Sequence, residues 1–240
     1  MKSVKHKTSN QLFRNRVCVS VVGVGGTGGV LLTQLAKLNM ALKALRGADF
    51  NLDVNVYDPD HVTRANLGRQ VFYECDLGMN KAVAAVNRIN LCYGLDWTAR
   101  PQPFYDGYTS ADILIGCVDS RRSRFEIRPG KNRRPCGYYL DCGNSADFGQ
   151  VLIGDGSRQL PWPDEIAPEL FDPELDSDAD GPSCSLADAL EKQELFVNSF
   201  AANIAAQMLW ELFRHGGLNY RGVYYNLANM QFAKIPIKDN

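Results

Sequence analysis

No two of the seven cysteines in this 240-residue chain stand in a CxxC spacing, which argues against a structural zinc of the usual kind. Their number is odd and several lie inside apolar runs, so they read as reduced thiols of a cytoplasmic protein. No signal peptide is expected from the opening residues, and no apolar stretch approaches the length that spans a bilayer. Internal repeats and low-complexity tracts are absent as well. Net charge is close to nil: a value of −1 gives no global attraction to nucleic acid or membrane. The remaining absences are local. Met1 to Ala48 holds no Asp or Glu but contains Lys2, Lys5, Lys7, Arg14, Arg16, Lys37, Lys43 and Arg46. Trp162 to Asp180 holds eight acids and no Lys or Arg. Opposite-sign regions of this kind suit an anionic ligand at one end and a surface loop at the other.

What is present points to an α/β domain. The length allows one sizeable core. Val17 to Val22 read as a fully buried strand, and Gly23, Gly25 and Gly28 follow in GxGxxG spacing. Helical apolar spacing then runs from Gly28 to about Met40 through Val30, Leu31, Leu35 and Leu38. Val54 to Tyr57, Ala111 to Val118, Cys136 to Asp141 and Gln150 to Ile153 read as further strands. Gly78 to about Leu91 and the basic stretch after Asp119 read as helices. This alternation implies a doubly wound, Rossmann-like, mostly parallel sheet. Residues 1–15 are polar and are expected to form a loose arm. Residues 154–185, rich in Pro, Asp and Gly, are expected to form a long acidic crossover loop. Leu186 to Phe213 are expected to be helical, and Tyr220 to Leu227 with Met230 to Ile237 to close the chain as an antiparallel hairpin.

The chemistry is concentrated near the glycines. A backbone turn of that spacing approaches a phosphate, and the following helix N-terminus offers free N–H groups and a positive dipole end. Gly23, Gly25, Gly26 and Gly28 are the loop candidates, although such glycines also serve a plain tight turn. Asp58 and Asp60, at the end of the second strand, suit ribose hydroxyls, or are turn formers around Pro59. These features fit NAD as well as ATP. Asn66, Arg69, Lys81 and Asp119, with Ser120 beside it, have no evident task at a dinucleotide. At a triphosphate, Arg and Lys neutralise phosphate charge and a carboxylate holds magnesium. Asp119 has the alternative of capping the helix after it. Arg121 to Arg134 carries seven basic residues and one acid; a solvated face or a dock for an acidic partner is favoured there over nucleic acid.

GVGGTGG, DPDHVTRANLGRQVF, DLGMNKAVAAVNRIN and GCVDSRRSR, in that order, resemble the ThiF/MoeB/ubiquitin-activating-enzyme superfamily over Val17 to Arg124. The later DGPSCSLADALEKQELFVN is similar to the ThiF-family proteins of bacterial PRTRC cassettes, which also carry a ubiquitin-like, a conjugating-enzyme-like and a JAB-type peptidase-like protein. The resemblance implies a single adenylation domain over 1–240, acting as a homodimer on a ubiquitin-like β-grasp protein, with a conjugating-enzyme-like protein as a further partner. It implies ATP and Mg2+ and no zinc. It places Gly25 in the nucleotide loop, Asp58 on the ribose, Asn66 and Arg69 on the phosphates, Lys81 on the departing pyrophosphate and Asp119 at magnesium. Cys184, after the acidic loop and before a helix, is the candidate for a thioester. The chain departs from the family in four ways: it lacks the CxxC pairs, it is too short for a separate catalytic-cysteine domain, Ala41 to Asn51 is longer than expected, and the arginine-bearing helix before Val17 is replaced at best by Arg14 or Arg16. A non-catalytic scaffold and an NAD-dependent oxidoreductase remain as alternatives.

Overall fold

A computed structural model describes residues 5–104, 111–129, 136–176, 187 and 191–237. The elements follow in chain order as β1 (His6–Lys7), a 3-10 turn (Asn10–Phe13), β2 (Arg16–Val22), α1 (Gly26–Arg46), β3 (Asn51–Tyr57), α2 (Lys81–Tyr93), β4 (Thr98–Arg100), β5 (Ile113–Gly116), α3 (Arg121–Ile127), β6 (Tyr138–Asn144), β7 (Phe148–Gly154), α4 (Pro163–Ile166), α5 (Val197–His215), β8 (Gly217–Leu218), β9 (Tyr220–Asn226) and β10 (Gln231–Pro236). Eight strands form one sheet in the order β10-β9-β7-β6-β5-β2-β3-β4. From β6 to β4 every pairing is parallel; from β6 to β10 every pairing is antiparallel. The doubly wound architecture with a C-terminal helix and hairpin is therefore as expected. The antiparallel part is larger than the hairpin alone. Only Ser145 to Asp147 separate β6 from β7, too few residues for the crossover that a parallel pair needs.

Helices cover both faces. The β-branched and Leu-rich strands β2 and β3 bury Val17, Val19, Val21, Leu52, Val54 and Val56 against α1, α2 and α5. On the opposite face Val22, Tyr57, Leu114 and Tyr139 pack with Ile127 of α3 and with Phe171, which belongs to the acidic segment. That segment is expected as an irregular loop, and up to Asp176 it folds as α4 and two 3-10 turns, Pro168–Phe171 and Pro173–Leu175. Among the described residues no helix is long and apolar enough to cross a membrane.

Three expectations are corrected. The amino-terminal arm is held down from Lys5 onward, not loose. β1 pairs antiparallel with β8, Leu12 is fully buried, the Thr8 hydroxyl donates to Leu212 O at 2.9 Å, and Ser9 N donates to the Tyr138 hydroxyl at 2.8 Å. The stretch expected as a long insert after Met40 is largely the last turns of α1. Arg46 ends that helix inside three rings, at 5.3 Å from Phe13, 5.2 Å from Phe50 and 5.3 Å from Phe213, and donates to the carbonyls of Leu12 and Phe213. The third concerns the helix expected from Leu186, which is interrupted: Ala187, Glu191 and Lys192 are helical, the chain bends at Gln193, and α5 starts at Val197. Before it the chain turns aside to bond the β6–β7 turn, through Glu194 N to Ala146 O at 2.7 Å and the Gln193 amide to Ser145 O at 3.0 Å.

Candidate active site

Strand β2 continues to β3 on one side, and β5 lies on its other side, so the winding reverses between β2 and β5. The crevice at the carboxyl ends of strands at such a reversal is where doubly wound sheets bind ligands. A cavity of about 300 Å³ opens there. Gly23 leaves β2 with φ of +89°, and a Cβ on it would lie 2.7 Å from Cys117 O. A Cβ on Gly28 would lie 2.0 Å from Gly23 O. Glycine is thus required at both positions, and the first turn of α1 is drawn close against the strand end. Gly25 occupies the N-cap of α1 with no side-chain cap, which leaves the first N–H groups of a 21-residue helix free for an anion.

Asp58 is buried at the end of β3. Its carboxylate accepts from Val24 N at 2.7 Å and from Asp60 N at 2.9 Å. Burial pushes its pKa up, against the opposing pull of those two N–H groups and of Lys81. Asn80 caps α2 through Val83 N and donates to the carbonyls of both Asp58 and Asp60 at 2.9 Å. The cap therefore ties the Asp58–Asp60 turn to α2, the helix that begins with Lys81. Lys81 is nearly buried and pairs with the exposed carboxylate of Asp60 at 3.0 Å. Ser120, not Asp119, caps α3, accepting from Ser123 N at 3.1 Å, and Asp119 stands exposed on the cavity wall. Below it the buried Arg124 guanidinium lies 3.6 Å from the fully buried Asp141. The Tyr139 hydroxyl donates to that carboxylate at 3.2 Å, and burial pushes the Asp141 pKa up.

Arg69 reaches the cavity from the loop before α2. Its Nη1 donates to Gln193 Oε1 at 2.8 Å, while its Nε is buried without a partner. Gln193 belongs to a knot of neutral side chains. Thr27 donates to Asn198 at 3.0 Å, and Asn144 donates to Thr27 at 3.0 Å and to Asn198 at 3.1 Å. These residues come from α1, β6 and α5 and were not foreseen from the sequence. Asn198 does carry a signal, since a buried amide inside an otherwise apolar helix face needs a partner.

Of the residues singled out from the sequence, Gly23, Gly25, Gly26, Asp58, Asp60, Arg69, Lys81 and Asp119 line this one cavity. Gly28 acts from behind the loop, and Ser120 caps α3. The Asn66 side-chain Oδ1 is taken by Thr63, accepting from its N at 2.9 Å and its hydroxyl at 3.1 Å, and Asn66 does not line the cavity. Cys184 lies outside the described residues. Arg14 and Arg16 flank the opposite end of β2, roughly 20 Å from the glycine loop, and face Asp112 at 3.6 Å and Asp53 at 2.6 Å. The six described cysteines are free. Burial pushes the thiol of Cys136 up to about 12, which makes it unreactive.

The residues present fit an anionic nucleotide. The loop admits no side chain at its tightest points, a helix N-terminus opens on the cavity, and the Arg69 Nε has no other partner. Among the described residues no group of three or more His, Cys, Asp or Glu could hold a metal by itself. Asp119 suits a magnesium ion that keeps most of its ligands from water and phosphate.

A model of the ThiF family matches residues 1–129, more than half of the sequence, and the chain belongs to this family. Among solved structures, MccB from E. coli with MccA aligns with a TM-score of 0.62 over 93% of this chain at 15% identity, covering 64% of that chain. MccB with AMPCPP and MccA aligns at 0.58 over the same 93%, at 14% identity and again 64% of that chain. The chain thus spans less than two thirds of the MccB length, and the likeness establishes the fold. E. coli tRNA N6-threonylcarbamoyladenosine dehydratase, TcdA, in complex with ATP aligns at 0.38, at 21% identity, over 46% of this chain and 44% of that one, too partial a match to bear on function. No curated protein matches the sequence significantly.

Proposed function

We propose that this protein is an ATP-dependent adenylyltransferase acting on the C-terminal carboxylate of a ubiquitin-like protein. The observation that carries the reading is the convergence of the free α1 N-terminus, Arg69, Lys81 and Asp119 on one cavity. That set combines donors for a triphosphate with a carboxylate for its metal. In the reaction a carboxylate oxygen attacks the α-phosphorus, the bond to the bridging oxygen breaks, and acyl-adenylate and pyrophosphate result. The α1 N–H groups and Arg69 bind and orient the phosphates, Lys81 neutralises charge on the departing pyrophosphate, and Asp58 holds the ribose. Asp119 would hold Mg2+, which when bound supplies further neutralisation of phosphate charge. Family membership and the fold shared with MccB, which was solved with AMPCPP and MccA, support a nucleotide and a peptide-like acceptor. Transfer of the acyl group to Cys184, a homodimer and a conjugating-enzyme-like partner belong to the same proposal.

Calorimetric titration with Mg-ATP and with NAD, on the wild type, Asp119→Ala and Arg69→Ala, tests the reading. Mg-ATP binding that weakens about tenfold or more in both variants is expected, followed by pyrophosphate exchange dependent on a β-grasp protein with a free C-terminus. NAD binding without ATP binding would return the site to a dinucleotide. ATP binding without exchange across all such acceptors would leave a scaffold.

A further inference from the structure

Gln193 makes every hydrogen bond that a glutamine side chain can make. Its Oε1 accepts from Arg69 Nη1 at 2.8 Å and from Asn198 Nδ2 at 3.1 Å. Its Nε2 donates to Asn144 Oδ1 at 2.7 Å and to Ser145 O at 3.0 Å. Two acceptor lone pairs and two N–H groups are the full complement. The orientation of the amide is unambiguous, because a guanidinium can only donate and a backbone carbonyl can only accept. Gln193 is thereby held by β6, the β6–β7 turn and α5 together, and it holds one edge of a single cavity-lining arginine.

The manner of holding differs from that of Arg16, Arg88 and Arg124. Arg16 is held by Asp53, Arg88 by Asp76 and Arg124 by Asp141, all carboxylates that cancel the charge. Arg69 lines the cavity and is held by a neutral amide, while its buried Nε has no partner. An amide fixes direction and leaves the full positive charge for a ligand. A carboxylate at the same place would satisfy the guanidinium and compete with the ligand for it.

We infer that Gln193 is the positioning residue for Arg69, a neutral clamp that turns the guanidinium toward the phosphate chain of the bound nucleotide without neutralising it. The inference rests on the adenylation reading for the identity of the anion. Gln193 has no hydrogen-bonding group left over for a reacting atom, because all four are used within the protein.

The test is Mg-ATP affinity by calorimetry in a double-mutant cycle, with thermal denaturation of every variant. Gln193→Met removes the clamp at similar length. Gln193→Glu keeps a partner for Arg69 but adds charge, so a variant with Arg69 still engaged is available even if the Met variant folds poorly. Gln193→Met is expected to weaken Mg-ATP roughly tenfold, the scale of one hydrogen bond to a charged group, and Gln193→Glu at least as much. In an Arg69→Ala background Gln193→Met is expected to alter affinity less than twofold, because the group being positioned is gone. A merely structural glutamine would lower affinity equally in both backgrounds, and that result overturns the inference. So does a Gln193→Glu protein that binds Mg-ATP as the wild type does. If the wild type binds Mg-ATP and Arg69→Ala weakens it but Gln193 variants do not, only the clamp fails. If the wild type binds no Mg-ATP, the adenylation reading fails and the clamp with it.

Discussion

Replacing Gly28 by alanine tests the geometry of the glycine turn without reference to any ligand. The added Cβ would lie 2.0 Å from Gly23 O and 3.4 Å from the Cβ of Cys117. The first of these neighbours is backbone and cannot rotate away, so α1 must withdraw from β2 by roughly 1 Å or more to reach van der Waals distance. Gly29, one residue on, is the control: its Cβ would meet only Val71, at 3.4 Å or beyond. Both substitutions gain about 1 kcal/mol of helix propensity. At Gly28 this gain is outweighed by an overpacking cost of about 1–3 kcal/mol, with backbone contact at the upper end. The expected result is a net loss of about 2 kcal/mol for Gly28→Ala, or a Tm lower by roughly 4–8 °C, and no loss for Gly29→Ala. Circular-dichroism melts of the two variants beside the wild type measure this directly. Because the same shift moves the free N–H groups of α1, Mg-ATP affinity falls about tenfold or more in Gly28→Ala and stays within about twofold in Gly29→Ala. A Gly28→Ala protein that melts at or above Gly29→Ala would refute the close approach of helix and strand.

Arg46→Met removes a guanidinium from between three rings and strands two carbonyls. A loss of about 3 kcal/mol, roughly 6–12 °C in Tm, is expected, with Mg-ATP affinity unchanged because Arg46 lies outside the cavity; weakened ATP binding in a variant still folded at the assay temperature would contradict the separation of the two sites. Asp58 gives a pH prediction. Its folded pKa is raised by burial, so its contribution to stability is fully present below the unfolded value and is lost as pH rises through the folded one. Urea titrations at pH 4, 5, 6 and 7 should therefore show the wild type losing stability relative to Asp58→Asn as pH rises, and a change in the opposite direction would mean that the two backbone N–H groups outweigh desolvation.

Much of the site was legible because its determinants are close in sequence. The turn at Gly23 to Gly28 joins a strand directly to a helix. Asn80 caps α2 one residue before Lys81, and the Asp58 and Asp60 turn sits at the end of an apolar β-branched run. Such features are set by φ, by caps and by the alternation of apolar residues, all of which act over a few positions. The assignment of Asn66 shows the limit of local reading. Its side chain is engaged by Thr63, three residues away, and it does not reach the cavity that Arg69 lines.

The sequence by itself determined the central strands, the glycine turn, the identity of the charged groups and the alternation that makes the sheet doubly wound. Tertiary structure alone decided the rest. The arm at His6 is held by β8 and Tyr138, more than a hundred residues away, and α1 runs on to Arg46 because Phe50 and Phe213 close around it. Arg69 takes its direction from Gln193, and Thr27 meets Asn198 across 171 positions. Contacts of that span leave no spacing to read. Each partner is an ordinary polar residue in its own neighbourhood, and it becomes part of a site only when the packing of α1, β6 and α5 brings the unsatisfied groups together.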